Sequence, residues 1–385
     1  MNKLSALLLP CIASIASAQT PITSIPFEQY GDHMIIKVSV DDSEPLNFIF
    51  DTGSGLTVID KDVAESLGLS GKKKNMGTSM EQIKHNKLAI NGFVMEQNIN
   101  IYAADLNHLE ISLGRDIDGI LGYDLMVHHT LHIDNVDSEL DIYDHGTGPV
   151  TGDAIPFYMN ISIPTITASV VLNNGEPLEG TFFVMTGAAT TLDFNTPFAN
   201  KNGIINKTGK HFSYLVKDIS ENETIHYEGH VQSFKFGNET IENLPIGISQ
   251  ANTGIQANAD VSGIIGNELL HQFNITIDVP NKLLYFEPNH NYGGPFLINS
   301  AGIDIQLSKD KKSVLIHKVY EDSPASEVGV QINDELLAVN GKSVDELGFP
   351  AIKYLLSQKG ESIVVKYSRG GDENEVTLQL RSLID

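Results

Sequence analysis

The chain has 385 residues, with 25 Lys and Arg against 49 Asp and Glu, a formal net charge of −24. That balance speaks against nucleic acid, whose phosphates need a basic surface, and against docking on an anionic membrane by charge. The length, with 41% hydrophobic residues, allows two or three domains with cores of their own.

At the N-terminus, Lys3, the apolar run 4–15 and Ala16-Ser17-Ala18 predict a secretory leader over 1–18, cleaved after Ala18. The protein is therefore expected to be exported, periplasmic or secreted. The apolar run is too short to span a bilayer, and no later segment predicts stable membrane insertion. Cys11, the only cysteine, falls inside the leader, so the mature chain is expected to use no disulfide.

Beyond the leader the chain reads as strands. Short β-branched and aromatic runs, at 34–40, 48–50 and 275–279, are bounded by turn residues. Asp41-Asp42-Ser43-Glu44-Pro45 is one such turn and Asn173-Asn174-Gly175-Glu176-Pro177 another. A helix is predicted over 61–69, with Asp60 as its N-cap.

One motif occurs twice. Phe48-Ile49-Phe50-Asp51-Thr52-Gly53-Ser54 is matched by Phe183-Val184-Met185-Thr186-Gly187-Ala188. Further along, Gly119-Ile120-Leu121-Gly122 is matched by Gly263-Ile264-Ile265-Gly266, and each leads without a gap into a strand ending in aspartate, Asp134 or Asp278. Residues 23–145 and 150–288 therefore read as two copies of one β unit. A second boundary is expected near Gly293-Gly294-Pro295, with a separate unit over 295–385.

Apolar-apolar-Asp-Thr-Gly-Ser followed by Gly-Ile-Leu-Gly resembles a lobe of the pepsin and retropepsin-like aspartic peptidases, and two lobes resemble the whole enzyme. The C-terminal unit, with Ala301-Gly302-Ile303-Asp304-Ile305, Ser323-Pro324-Ala325 and Leu336-Leu337-Ala338-Val339-Asn340-Gly341, resembles a PDZ domain of the bacterial exported-protease type. Asn333 stands where that family more often has glycine. The fold expected is mainly β, two pseudo-symmetric acid-protease β-barrel lobes followed by a small α+β PDZ domain.

The resemblance implies the chemistry. Peptide hydrolysis in this family uses a water held between two carboxylates that share a proton, one acting as base while the protonated partner polarises the carbonyl. Asp51 matches the first acid, with Thr52, Gly53 and Ser54 in support: the threonines are expected to lock the two loops, and the serine to bond the carboxylate. Thr186 and Gly187 support the second position, but Met185 occupies it, and a thioether holds no proton and accepts weakly. Asp51 is then expected to be an ionised base without an acid partner. It reads equally as a buried carboxylate satisfied by backbone N–H groups, and Met185 as an apolar plug between the lobes. Asp193 is a candidate replacement acid, although it aligns with Asp60, away from the cleft.

His128, His129 and His132 match no common zinc spacing and are expected to face solvent; no metal and no cofactor is predicted. Residues 80–95 are a candidate flap, with turns at Gly77-Thr78-Ser79 and Asn91-Gly92. In the PDZ unit a helix is expected over 348–358, and the backbone N–H groups of Ser300, Ala301, Gly302 and Ile303 are expected to receive a peptide's terminal carboxylate. The partners implied are peptides or unfolded protein in the cleft and protein C-termini at the PDZ domain. Two functions follow: a peptide binder whose catalysis is impaired by the missing acid, or an aspartic endopeptidase that obtains its second acid elsewhere.

Overall fold

The computed structural model describes residues 20–73, 80–217 and 223–384. The leader expected at 1–18, Cys11 included, lies outside the described residues, as do Gly77, Thr78 and Ser79. Among the described residues no helix is long and apolar enough to cross a membrane.

Strand Leu46–Phe50, which delivers Asp51, is held on both sides. It pairs antiparallel with His33–Val40 through a hairpin whose turn residues, Asp41 and Asp42, have φ of 48° and 64°. Short polar side chains tolerate that left-handed backbone, which suits the twist of a tight hairpin. On its other side it runs parallel to Gly119–Leu121, with Phe48 opposite Gly119 and Phe50 opposite Leu121. Glycine is required at 119, because a Cβ there would overlap the ring of Phe48. The second half repeats the pairing: Pro177–Met185 runs parallel to Gly263–Gly266, with Met185 opposite Gly266.

The halves are joined by their own strands. Thr130–Asp134 pairs antiparallel with Phe273–Asp278, placing His132 opposite Thr276. His132, expected to face solvent, is instead buried there with its Nδ1 2.9 Å from Thr276 Oγ1, and burial lowers its pKa. Among the described residues no group of three or more His, Cys, Asp or Glu is placed to hold a metal ion. The predicted first helix forms over Lys61–Ser66, three residues shorter than expected, and Asp60 caps it by accepting from the N–H groups of Asp62 and Val63. One apolar core runs through both halves, including Phe48 and Phe50 from the first and Phe182 and Phe194 from the second. Asn91 and Gly92 form the turn between Glu81–Ile90 and Phe93–Ala104, as the flap reading expected of that dipeptide.

Residues beyond 300 have a separate core that includes Ile303, Ile316, Val339, Ile352 and Val365. Its sheet runs in the order Ile303–Leu307, Val314–Val319, Glu335–Val339, Ser362–Arg369, Asp372–Gln379. The flanking helix spans Val344–Leu356, starting four residues before the predicted position. Ser343 and Glu346 form a reciprocal cap that sets this start, and Gly348, at φ 69°, breaks the helix in two. Asn333 has φ 70°, so the departure from glycine is met by a residue that tolerates the same left-handed backbone.

This unit docks on both halves. Toward the second, the Phe212 and Tyr320 rings are 4.7 Å apart, and Lys318 Nζ lies 4.4 Å from the centre of the Tyr214 ring. Toward the first, Lys311 Nζ lies 2.5 Å from Glu110 and 3.2 Å from Asp116. Glu228 faces the junction, and burial, with the charge of Asp304 next, raises its pKa from 4.5 to about 7. Because the folded protein holds this proton more tightly than the unfolded chain, Glu228 costs stability as pH rises from its ordinary value to about 7. Glu228→Gln is therefore expected to raise the thermal midpoint at pH 8 and to leave it unchanged at pH 4, measured by calorimetry at both.

Candidate active site

Two loops meet at the junction of the halves, and their threonines cross. Thr52 N donates to Thr186 Oγ1 at 3.0 Å, and Thr186 N donates to Thr52 Oγ1 at 3.1 Å. Each hydroxyl then donates to the opposite strand: Thr52 Oγ1 to the Val184 carbonyl at 2.7 Å, Thr186 Oγ1 to the Phe50 carbonyl at 3.2 Å. Both threonines are buried, so these four bonds satisfy groups that water does not reach.

The Gly-x-x-Gly segments brace the loops from behind. Asp51 N donates to the Leu121 carbonyl at 2.8 Å, and Tyr123 N to the Ser54 carbonyl at 2.9 Å. In the second half Asn267 N donates to the Ala188 carbonyl at 2.7 Å. A Cβ at Gly122 would strike the Asp51 carbonyl, and one at Gly266 the carbonyls of Thr190 and Ala188. The repeated glycines are thus explained by close backbone approach.

Asp51 Oδ1 accepts from its own loop, Gly53 N at 2.7 Å, and from the opposite loop, Gly187 N at 2.9 Å. These are its hydrogen bonds among the described residues. Gly187 must be glycine, since a Cβ there would overlap the Asp51 side chain. In mirror fashion the Met185 side chain lies over Gly53, where a Cβ would overlap it. The methionine also packs against the small apolar cluster of Ile163, Phe183, Val261 and Ile264. Position 185 therefore faces Asp51 across the junction and brings an apolar surface to it.

Burial raises the Asp51 pKa, and the two N–H bonds pull against that rise. Desolvation thus works against the ionised form of Asp51, an effect that sequence alone does not reveal. Ser54 differs too: its Oγ donates to the Leu56 carbonyl at 2.6 Å and not to the carboxylate. Asp193 is held away by its own network, accepting from Thr190 Oγ1 at 2.8 Å and Gln256 Nε2 at 3.0 Å, with His226 Nε2 at 3.5 Å. Burial pushes its pKa up, and His226, Thr190 and Gln256 together bring it below the ordinary value.

At the second expected site three of the four expected loop donors, those of Ser300, Ala301 and Gly302, are engaged within the chain. Ser300 N and Ala301 N both donate to the Leu356 carbonyl at 3.0 Å. Asn299 Oδ1 accepts from Ala301 N at 3.2 Å and Gly302 N at 2.8 Å. Ile303 is buried and pairs with Val319 in the sheet. A carboxylate received at Ser300, Ala301 or Gly302 would have to replace these internal acceptors. Asn299 gave no signal in the sequence, because its role depends on the fold of the loop around it.

Replacing Thr186 by valine keeps the shape and removes the hydroxyl, leaving Thr52 N without its acceptor. A loss of about 2–4 kcal/mol is expected, from the bonds removed and the buried donor left unpaired. Urea unfolding of Thr186→Val against wild type measures it; a loss near zero would show that the crossed pair does not hold the loops.

Two regions of the chain match known protein families. Residues 36–125 match the family model described as aspartyl protease, and residues 301–380 the model described as PDZ domain. Among curated proteins, a probable CtpA-like serine protease of Staphylococcus haemolyticus is 30% identical over 94 residues, 24% of this chain and 18% of that protein. The carboxy-terminal processing protease CtpB of Bacillus subtilis is 26% identical over 82 residues, 21% of this chain and 17% of that protein. The matched segments thus span less than a fifth of those relatives. Among solved structures, the aspartic proteinase from Irpex lacteus aligns with a TM-score of 0.44 at 13% identity, covering 71% of this chain and 98% of that one. The chain therefore carries an aspartyl protease-type region containing Asp51 and a C-terminal PDZ domain, and neither matched region includes Met185.

Proposed function

We propose that this is an exported, aspartic-peptidase-like protein that binds extended peptides or unfolded protein between its lobes without hydrolysing them, with a PDZ domain that takes protein C-termini. The observation that carries the reading is the Met185 side chain lying over Gly53, where the chemistry needs a second carboxyl group. Water activation by a pair requires one acid to hold the proton that the other lacks. Asp51 has two backbone N–H partners in place of an acid, and Asp193 is bound to Thr190, Gln256 and His226. The crossed threonines and braced glycines favour a retained cleft, since they keep both loops in place. Export rests on the residues of the leader.

The test is proteolysis of an unfolded protein from pH 3 to pH 7. Wild type is expected to leave the substrate intact. Met185→Asp is expected to cleave it on the acid side of neutrality, where a coupled pair shares one proton, and adding Asp51→Asn to that variant is expected to abolish cleavage. Wild-type cleavage that Asp51→Asn removes would overturn the binder reading in favour of an endopeptidase with its second acid elsewhere. In the binding arm, wild type and Asp51→Asn are expected to retain a labelled extended peptide equally, read by fluorescence anisotropy. N-terminal sequencing of the secreted product is expected to begin at Gln19.

A further inference from the structure

We propose that the PDZ groove is latched shut against the chain's own lobes, so that C-terminal capture and the docked arrangement exclude one another. The inference rests on the PDZ-capture part of the proposed function and adds its regulation.

A peptide joins a PDZ domain as an extra strand beside an exposed sheet edge, under the flanking helix. Here the edge strand is Ile303–Leu307 and the helix is Val344–Leu356. Both are turned toward the lobes. The helix Asn107–Leu113 of the first lobe packs beside that edge strand. Gly114, its left-handed cap at φ 70°, lies so close to the Phe349 ring that a Cβ would overlap it. A first-lobe segment therefore bridges the strand and the helix between which a peptide would lie.

The remainder of the groove is a cavity of about 250 Å³, with Ile303, Ile305 and Leu356 on one side and Ile246, Ala189 and Thr190 on the other. At its carboxylate end the N–H groups of Ser300, Ala301 and Gly302 are used by Asn299 Oδ1 and the Leu356 carbonyl. A ligand must then displace an internal acceptor, and a strand longer than this cavity must move the first-lobe segment.

The latch is fastened at Lys311, in the turn after the edge strand, by Glu110 and Asp116. It also bears on the cleft. Ala189 and Thr190, which wall the cavity, follow Met185 by four and five residues in the second acid loop. Lifting the PDZ domain would uncover that flank of the loop.

Lys311→Glu sets three carboxylates against one another and should open the latch. The probe is a fluorescein-labelled peptide with an apolar last residue and a free carboxylate, titrated into the full mature chain and followed by anisotropy. The expected result is at least about fivefold tighter binding to Lys311→Glu than to wild type. Adding Asp116→Lys, a change on the first lobe, should return the affinity toward wild type. The amidated peptide should bind weakly to all three. Equal, measurable binding to wild type and Lys311→Glu would overturn the latch while leaving PDZ capture intact. Tighter binding that Asp116→Lys does not reverse would also overturn it, because the charge at 311 would then act on the peptide directly. Binding to none of the variants would overturn PDZ capture, and the latch with it.

Discussion

The crossed pair of Thr52 and Thr186 is the constraint on which the rest of the site depends. Each threonine gives its hydroxyl to the opposite strand and receives the opposite backbone N–H, so neither loop is complete without the other. The exchange takes place where both side chains are buried, and an unmade bond there would cost the full desolvation of the group left behind. This is why the two strands entering the loops are apolar, why each is backed by a parallel Gly-x-x-Gly segment, and why Asp51 and Met185 end up facing one another.

That frame presents an acid at 51 and a thioether at 185. With Met185 in place, the N–H of Gly187 goes to Asp51, whose Oδ1 accepts from both loops. The thioether fills the opposite place by packing over Gly53. Backbone and threonine contacts thus hold both loops in place around an acid at 51 and a thioether at 185.

The PDZ domain adds a third body to this two-lobed frame. Lys311 ties it to the first lobe, while Tyr320 and Lys318 tie it to the second. The junction holds several half-buried carboxylates: loss of water raises both Glu228 and Glu268, with neighbouring acids adding to the effect, while Lys318 and Tyr320 hold Asp304 below its ordinary value. Like charges brought together away from water favour the protonated form, and a lysine or hydroxyl partner favours the ionised one.

Much of this was legible in the sequence, for one physical reason: backbone-to-backbone demands leave a mark on residue type. The X-Thr-Gly and Gly-x-x-Gly repeats announced the duplicated pairing, because glycine is needed where chains approach closely and threonine where a hydroxyl crosses between loops. Asp60 announced a helix start for similar reasons, and the contrast between Asp51 and Met185 was plain from identity alone. What the sequence did not disclose depends on neighbours distant along the chain. Ser54 turned to the Leu56 carbonyl, His132 was buried against Thr276, and Asp193 was drawn into a network with His226 and Gln256. The Asp51 pKa was raised by desolvation and pulled back by the N–H groups of Gly53 and Gly187. The chain by itself determined which chemical groups are available, two threonines, one acid and one thioether. Only the tertiary structure decided which donors those groups would meet, and which were already taken by the chain itself, because hydrogen bonding and burial belong to the space around a residue and not to its place in the sequence.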